Sequence, residues 1–361
     1  MLKQQKIFFD FLRFCIGSES EIPSSLKEAD WEELYAIAKK QCLVGVLFDG
    51  IKKLPAEQVG MKMGLLFQWI AKNRMLEKAN VRLNDAAIQV SEWFRKKGFR
   101  TCILKGQGNA LMYPNPYSRT PGDIDIWVEG GDKRVISFVR SISSHEKACY
   151  HHIEFPPYKG VEVEVHYRPS FLLCFWHNRK LQKYYERVKE EQFSHRVMLG
   201  EQGEIAIPTV EFNLIFQLTH IFSHLMNEGI GLRQLLDYYY VLISDDLLLI
   251  RDRVQKELKE LGLWKFSGGI MYIMQEVFGM PASRLIVPPN EKYGKFVLNE
   301  VLEAGNFGKH DERNRFGRSK LGHNLQRVYR DIRLMRYFPA EALCEPVFRI
   351  WHFFWRVKNK K

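Results

Sequence analysis

The chain has 361 residues, which is enough for two or three packed units with hydrophobic cores of their own. Hydrophobic residues make up 46% and charged residues 27% of it, and no run approaches the roughly 20 apolar residues that cross a bilayer. These values exclude a single small module and a membrane-spanning apolar helix. The net charge of +12 favours an anionic partner, such as a nucleotide, a nucleic acid or an anionic membrane surface.

The first segment, residues 1–13, has charges inside its apolar run and lacks a small-residue cleavage site. It does not have the pattern of a signal peptide, and we expect a cytoplasmic protein. Six cysteines are scattered without a Cys-x-x-Cys pair, which predicts free, mostly buried thiols. They are Cys15, Cys42, Cys102, Cys149, Cys174 and Cys344.

Both ends of the chain have the apolar periodicity of helices. Trp31, Leu34, Tyr35 and Ala38 recur at helical spacing, and an apolar stripe continues along 61–97. We therefore divide the chain into three regions. They are an N-terminal helical region (1–97), an α/β core (98–208) and a C-terminal helical region (209–361).

The middle region alternates strand-like and helix-like segments, so we predict the α+β class, with a mixed sheet flanked by helical regions. Between the last two strands, 156–160 has the composition of a turn, which predicts an antiparallel hairpin. The predicted strands are 99–105, 122–128, 149–155 and 161–167, and the predicted helices are 106–113 and 131–143.

Acidic residues alternate along two of these strands. Because side chains alternate across a strand, Asp123 and Asp125 share one face of the first, and Glu164 and His166 share one face of the second. If the apolar faces lie on the same side of one sheet, Asp123, Asp125 and Glu164 converge. Converging carboxylates repel one another unless a cation lies between them, and Mg²⁺ prefers such oxygen ligands. Asp-x-Asp alone is more often a solvated sheet face.

A lysine and a glycine follow the first apolar strand, at Lys105-Gly106, before a short helical stretch. Glycine allows backbone amides to approach a phosphate, and a helix N-terminus carries partial positive charge. Lys105 and Arg119 would then neutralise a triphosphate.

The segment after Pro208 is predicted to be helical over 210–226. His220 and His224 share a face there, but the acid that follows the first histidine of zinc proteases is replaced by Ile221. The two histidines either line a nucleotide cleft or are structural. Arg233 and Asp237 are spaced for an ion pair on a helix surface. Glycines at 229, 231 and 268–269 are interpreted as breaks between helices.

Cations and aromatics accumulate towards the C-terminus. Arg327, Arg330, Arg333 and Arg336 recur every three residues, which predicts a basic helical stripe, either simply solvated or facing phosphates or a membrane. The aromatic tail, 350–361, either closes the core, which we favour, or makes peripheral contact with a bilayer.

The motifs taken together resemble the uncharacterised nucleotidyltransferase family of the DNA polymerase β-like superfamily. They are Lys105-Gly106, Tyr113-Pro-Asn-Pro116, Arg119 with Gly122-Asp-Ile-Asp-Ile-Trp-Val128, Glu164-Val-His166, His220 with His224, Gly229 to Asp237, and Tyr337-Phe-Pro-Ala-Glu341. The resemblance implies two metal ions bound by Asp123, Asp125 and Glu164. It places His220, His224, Arg233 and Asp237 towards the nucleotide cleft. Lys105-Gly106 replaces the superfamily's usual Gly-Ser turn, which removes one phosphate ligand.

The function predicted from these features is Mg²⁺-dependent transfer of a nucleoside monophosphate from an NTP to a hydroxyl acceptor. We favour a small-molecule acceptor over nucleic acid, because no RNA-binding module is recognisable. The alternatives are a protein of the same fold that binds a nucleotide or a partner without catalysis, and a metal-dependent nuclease. His166 would either orient a carboxylate or contact phosphate, or it would be an ordinary hydrogen-bonded edge residue.

Overall fold

The computed structural model describes residues 3–201, 203–308, 311, 313 and 320–359. The N-terminal part is helical, and the predicted long helix of 61–97 is confirmed. The helices are α1 (Lys3–Ile16), α2 (Trp31–Lys40), α3 (Val44–Ile51) and α4 (Met63–Lys96).

The central part contains the sheet. Its elements are β1 (Thr101–Leu104), α5 (Gly106–Ala110), β2 (Ile124–Val128), α6 (Gly131–Ile142), β3 (His152–Tyr158), β4 (Val161–His166), α7 (Phe175–Ser194), β5 (Arg196–Met198) and β6 (Glu204–Ala206). The first four strands form one sheet in the order β1-β2-β4-β3, and β5 pairs with β6. Strand β2 is antiparallel to β1 and parallel to β4, so the predicted mixed sheet is confirmed.

The remaining described residues are mostly helical, as predicted. They contain α8 (Val210–Asn227), α9 (Leu232–Leu242), α10 (Leu247–Glu260), α11 (Trp264–Phe278), α12 (Glu291–Ala304), α13 (Lys320–Met335) and α14 (Pro339–Lys358). None of the helices in the described ranges combines the length and the apolar character that crossing a membrane requires.

The sheet separates two hydrophobic cores. Ile124, Ile126 and Val128 of β2 face the smaller core, against the second half of α4 and α6. On the other face, Trp127 packs against Phe193 of α7 and Phe212 of α8, with ring centroids 4.6 and 5.8 Å apart. Helices therefore cover the acid-bearing face as well, which explains why Asp125 is buried. The larger core joins N-terminal and C-terminal helices, and the three-region division stays a prediction.

The hairpin of β3 and β4 is confirmed, but its turn occupies only the last two residues of the predicted segment 156–160, so the first part of that prediction is wrong. Pro156 and Pro157 lie inside β3, where the pairing register shifts between Phe155 and Tyr158. Strand β3 is at the sheet edge, so prolines without an N–H are tolerated there. The chain reverses at Lys159-Gly160, both with positive φ.

The prediction that Gly268-Gly269 breaks a helix is also wrong, because both lie within α11. A Cβ on Gly268 would lie 3.1 Å from the carbonyl oxygen of Pro288, and one on Gly269 would lie 3.0 Å from Tyr293. These glycines allow the chain entering α12 to approach α11 closely.

We expect Gly45→Ala to lower the free energy of unfolding by about 1–3 kcal/mol, as overpacking does. A Cβ at Gly45 of α3 would lie 2.1 Å from the backbone oxygen of Ser118, in the loop before β2. Gly64→Ala in α4 is the control, since nothing lies within 4 Å of its Cβ position, and it should leave stability unchanged or slightly higher. Urea denaturation measures the free energy of unfolding of both variants. Equal stabilities of Gly45→Ala and the parent would show that the loop at Ser118 moves aside without cost.

Candidate active site

The three predicted acids converge at the sheet. Asp125 of β2 lies directly opposite Glu164 of β4 in the parallel register, and Asp123 immediately precedes β2. One carboxylate oxygen from each of Asp123, Asp125 and Glu164 lies within 4.8 Å of the others. This confirms the geometry predicted from the alternation, and the donor set fits a hard divalent cation.

Asp125 is buried between two cations. The Lys105 Nζ and the His166 Nε2 each lie 2.9 Å from its Oδ1. Burial alone would raise the pKa of Asp125, but Lys105 and His166 together hold that pKa well below its usual range. Asp125 is therefore ionised at any pH at which the protein would work.

His166 acts on the acids as a cation. Its Nε2 donates to Asp125, and its Nδ1 lies 3.3 Å from the carbonyl oxygen of Arg168. Both partners only accept hydrogen bonds, so both ring nitrogens carry protons. Although burial lowers the pKa of His166, its hydrogen bonds to Asp125 and Glu164 raise it to about 9. Of the interpretations of His166 left open by the sequence, this geometry favours a residue that orients carboxylates.

Asp123 is the acid whose charge is least compensated. The negative charge of Asp125 and burial raise the pKa of Asp123 to about 6. Removing Asp125's charge, or adding a cation between the two carboxylates, would relieve that repulsion. The cluster therefore has the electrostatic character of a cation site.

Lys105 links the acids to the histidines of α8. Its backbone has a φ of 53°, uncommon for a residue with a side chain, and it starts α5 at the end of β1. Its Nζ lies 3.3 Å from the Nε2 of His220. Burial and the charge of Lys105 hold the pKa of His220 well below its usual range, so a neutral imidazole accepts this hydrogen bond. His224 packs against His220, with ring centroids 4.3 Å apart.

The helix predicted over 106–113 ends at Ala110 and has only five residues. The partial positive charge at its N-terminus is therefore much smaller than the sequence led us to expect. Gly106 keeps its predicted place at the turn, with a φ of 42°. Any phosphate contact here would depend mainly on Lys105 and the backbone of this turn.

Arg119 and Asp237 form a buried ion pair, whereas the sequence predicted a surface pair between Asp237 and Arg233. The Nε and Nη2 of Arg119 each donate to a different carboxylate oxygen of Asp237, both at 2.8 Å. The hydroxyl of Tyr113 donates to the same carboxylate at 2.7 Å. Arg233 and Asp237 are both buried, so the predicted location of their pair on a helix surface is wrong. Two of the three guanidinium nitrogens of Arg119 bond to Asp237. Burial alone would raise the pKa of Asp237, but Arg119 lowers it, and the charge of Arg233 also lowers it.

Arg233 is buried at the start of α9 and reaches the loop before β2. Its Nη1 donates to the carbonyl oxygen of Thr120 at 2.9 Å. Asn80 of α4 holds the same loop, donating to the carbonyl oxygens of Tyr117 and Arg119 at 3.0 and 2.9 Å. Helices from both ends of the chain thus fix the loop that carries Asp123.

A cleft of about 480 Å³ brings the predicted site residues together. All ten line it: Lys105, Gly106, Arg119, Asp123, Asp125, Glu164, His220, His224, Arg233 and Asp237. The size is typical of small-molecule sites. Arg327 of the predicted basic stripe lines it as well, together with residues that the sequence did not single out, namely Tyr150, His151, His152, Phe171 and Arg349.

His151 and His152 were missed although the sequence contains a signal for them. They are adjacent at the start of β3, and His152 pairs with His166 across the hairpin. The Nδ1 of His152 lies 3.3 Å from Glu164, and burial lowers the pKa of His152 to about 4, so this ring is neutral. One ligand atom each from His152, Glu164 and His166 lies within 4.8 Å, but a protonated His166 is a poor ligand.

The basic stripe predicted near the C-terminus is not a single solvated face. Arg330 is buried, Arg333 bonds to Glu300 at 2.8 Å, Arg327 lines the cleft and Arg336 is exposed. A three-residue repeat falls about 60° behind per step on an α-helix, so these arginines spread around α13.

The chain is similar to a solved antigenic nucleotidyltransferase-like protein from Paracoccidioides brasiliensis, with 14% identity and a TM-score of 0.28, over 50% of this chain and 90% of that one. A likeness this low supports no conclusion about the fold or the function of this chain. No functionally curated protein matches. The family described as "Uncharacterised nucleotidyltransferase" matches residues 27–279, well over half of the chain, so the resemblance is confirmed and the protein belongs to that family.

Proposed function

We propose that this protein is a Mg²⁺-dependent enzyme that transfers a nucleoside monophosphate from an NTP to a hydroxyl-bearing small molecule. The observation that carries the proposal is the convergence of Asp123, Asp125 and Glu164 in one cleft. Three carboxylates at such distances match the ligands that Mg²⁺ takes, commonly together with substrate phosphates.

Asp123, Asp125 and Glu164 would hold the metal, with two ions as the expected number. When bound, Mg²⁺ would supply Lewis-acid stabilisation of charge on the phosphate oxygens. The protonated Nε2 of His166 keeps Asp125 and Glu164 oriented, while its Nδ1 donates to the carbonyl oxygen of Arg168. The Nζ of Lys105 lies 2.9 Å from Asp125, and a Cβ on Gly106 would lie 3.8 Å from the carbonyl oxygen of Asp123, so the Lys105-Gly106 turn would hold the phosphates beside these acids.

Lys105 would be the principal phosphate ligand of the chain. It already lies at the acids, and its ammonium would exchange part of its contact with Asp125 for a phosphate oxygen. His220 keeps the ammonium in the cleft by accepting a hydrogen bond from it. We assign His224 and Arg233 to the same nucleotide-binding wall, and Arg119 with Asp237 to positioning the loop that carries Asp123.

The reaction would be an in-line displacement. The acceptor oxygen would form a bond to the α-phosphorus, the bond from that phosphorus to the bridging oxygen of the β-phosphate would break, and pyrophosphate would leave. Glu164 is our candidate to accept the acceptor's proton. Most of the rate enhancement would come from positioning and charge stabilisation, as in other phosphoryl transfers. A cleft of about 480 Å³ favours a compact acceptor over a long nucleic acid.

The test is calorimetric titration with each of the four NTPs, with and without Mg²⁺, on the parent and on the Asp123→Asn/Asp125→Asn variant. Metal-dependent binding that the variant loses would support the proposal, and pyrophosphate release would then identify the acceptor. Binding unaffected by Mg²⁺ and by the variant would favour a non-catalytic nucleotide-binding protein. Mg²⁺-dependent degradation of plain DNA or RNA, without pyrophosphate, would instead identify a nuclease.

We expect the apparent affinity for Mg²⁺ to fall as the pH drops through about 6, the pKa of Asp123. Protons and the metal compete for this carboxylate, so the loss should approach about tenfold per pH unit below that pKa and level off above it. Calorimetry between about pH 5 and pH 7.5 measures the effect. A constant affinity over that range would remove Asp123 from the metal site.

A further inference from the structure

Helices α13 and α14 expose apolar side chains in regular stripes. On α14, the exposed positions recur at intervals of four and three residues, as Leu343, Val347, Ile350, Phe354 and Val357. On α13, Leu325, Val328, Ile332 and Met335 recur in the same way. Intervals of three and four place each set along one side of its helix.

Both stripes face away from the body of the protein. The two helices follow each other through a short connection at 336–338 and pack together as a hairpin. The hairpin attaches through buried Leu334, Ala342 and Phe348 on the opposite sides of its helices. Ile350 is 62% exposed and Phe354 is 64% exposed, so these large side chains are in water. This corrects the prediction that the aromatic tail, 350–361, closes the core, which holds for Trp355, packed against the smaller core, but not for Phe354.

The charges around the stripes are of one sign. Residues 320–361 include ten lysines and arginines and three acidic residues. The three acids are Asp331, Glu341 and Glu345, and all are buried. Arg336 follows the α13 stripe and Lys358 lies beside the α14 stripe, and both are exposed; Arg356 is exposed on another side of α14. The exposed charges of the described hairpin are therefore basic.

We propose that this hairpin surface, formed by the two apolar stripes and their basic border, docks on an anionic membrane surface. Aromatic and aliphatic side chains on one face with basic residues beside them are the composition of helices that lie in a bilayer interface. The apolar side chains would enter the boundary between headgroups and acyl chains, and the cations would contact lipid phosphates. The hairpin would lie on the bilayer, not cross it.

Charge complementarity favours a membrane over a second copy of the chain. The three-four spacing alone would also suit packing against another helix, but such seams normally have opposite charges at their borders. Here a second copy would bring basic borders together, since the acids of this hairpin are buried. An anionic surface neutralises the same border. This inference does not depend on the proposed catalytic activity.

The test is sedimentation of the full-length protein with vesicles of phosphatidylcholine alone or with about 30% phosphatidylglycerol, at low and high salt. The test variant is Ile350→Gln/Phe354→Gln, which changes only exposed side chains. The control variant is Leu248→Gln/Leu249→Gln, which removes two exposed leucines from α10. Circular dichroism checks that both variants fold.

We expect the parent and the control to pellet with the anionic vesicles and to be released by high salt. The test variant should bind at least about tenfold more weakly, and neutral vesicles should bind little of any protein. Absence of binding to anionic vesicles would overturn the proposal, as would equal binding of the parent and the test variant. A dimer that the test variant alone disrupts, in the absence of vesicle binding, would show that the surface pairs two copies.

Discussion

Asp123→Asn is expected to make the metal-free protein more stable while it removes Mg²⁺-dependent NTP binding. The pKa of Asp123 lies at about 6 because Asp125 repels its charge and burial disfavours it. A carboxylate whose pKa is raised on folding destabilises the protein at pH values above that pKa. Removing it should therefore raise the free energy of unfolding near pH 7.5 by about 1 kcal/mol, after allowance for solvent screening. Loss of one metal ligand should weaken the metal-dependent binding by at least about 100-fold.

The control is Glu162→Gln, on the same strand as Glu164 but exposed. Glu162→Gln should change neither the free energy of unfolding nor the Mg²⁺-dependent NTP binding by a measurable amount. Urea denaturation in chelator gives the stabilities, and calorimetry gives the binding. A gain in stability together with a loss of binding in Asp123→Asn distinguishes a functional cation site from a structural one. If Asp123→Asn lowered stability and left binding intact, Asp123 would have a structural role.

Asp237→Ala is expected to cost about 3–5 kcal/mol of the free energy of unfolding, because it leaves the guanidinium of Arg119 buried without its partner. Asp237 accepts two hydrogen bonds from Arg119 and one from Tyr113, and Arg119 is only 3% exposed. The pKa of Asp237 is lowered by Arg119, so the pair is charged at neutral pH. Urea denaturation near pH 7 measures the loss.

The matched comparison is Glu211→Ala, which removes the acid from the exposed pair with Arg253. Surface pairs of this kind contribute less than about 1 kcal/mol. The double replacement Arg119→Met/Asp237→Leu should recover much of the stability lost in Asp237→Ala, because no unpaired charge remains. Similar losses for Asp237→Ala and Glu211→Ala would show that water reaches Arg119.

The prediction of the acid cluster succeeded because it depended on local rules alone. Alternation along each strand assigns Asp123, Asp125 and Glu164 to their faces, and the apolar residues between them fix which face is covered. The parallel register that opposes Asp125 and Glu164 was then the simplest arrangement. Metal binding by this cluster stays a prediction.

The pairing of charged residues was not predictable in the same way. Arg233 and Asp237 are four residues apart, which allows a pair on an isolated helix, yet Asp237 bonds to Arg119, 118 positions earlier. Asp237 pairs with Arg119 because α9 is buried, and a buried charge is stable only when another segment of the chain places an opposite charge beside it. The spacing of residues along one helix does not indicate which distant segment will pack against it.

Glycines show the same limit. We predicted a break at Gly268-Gly269 because glycine lowers helix propensity. In the structure both glycines lie within a helix, and their missing side chains allow the chain entering α12 to pack closely against α11. Propensity is worth about 1 kcal/mol per residue, and close packing of two helices outweighs it. The five-residue length of α5 was likewise not set by its own composition.

The sequence by itself determined the mixed sheet with its helical flanks, the faces on which the acids lie, the turn at Lys105-Gly106 and membership of the family. These depend on periodicity and on motifs, which are local properties of the chain. Only the tertiary structure decided that Lys105 and His166 neutralise Asp125, that Arg119 pairs with Asp237, and that the C-terminal hairpin leaves apolar side chains in water. Those outcomes depend on which surfaces are desolvated together, and desolvation is a property of packed segments that are far apart in sequence.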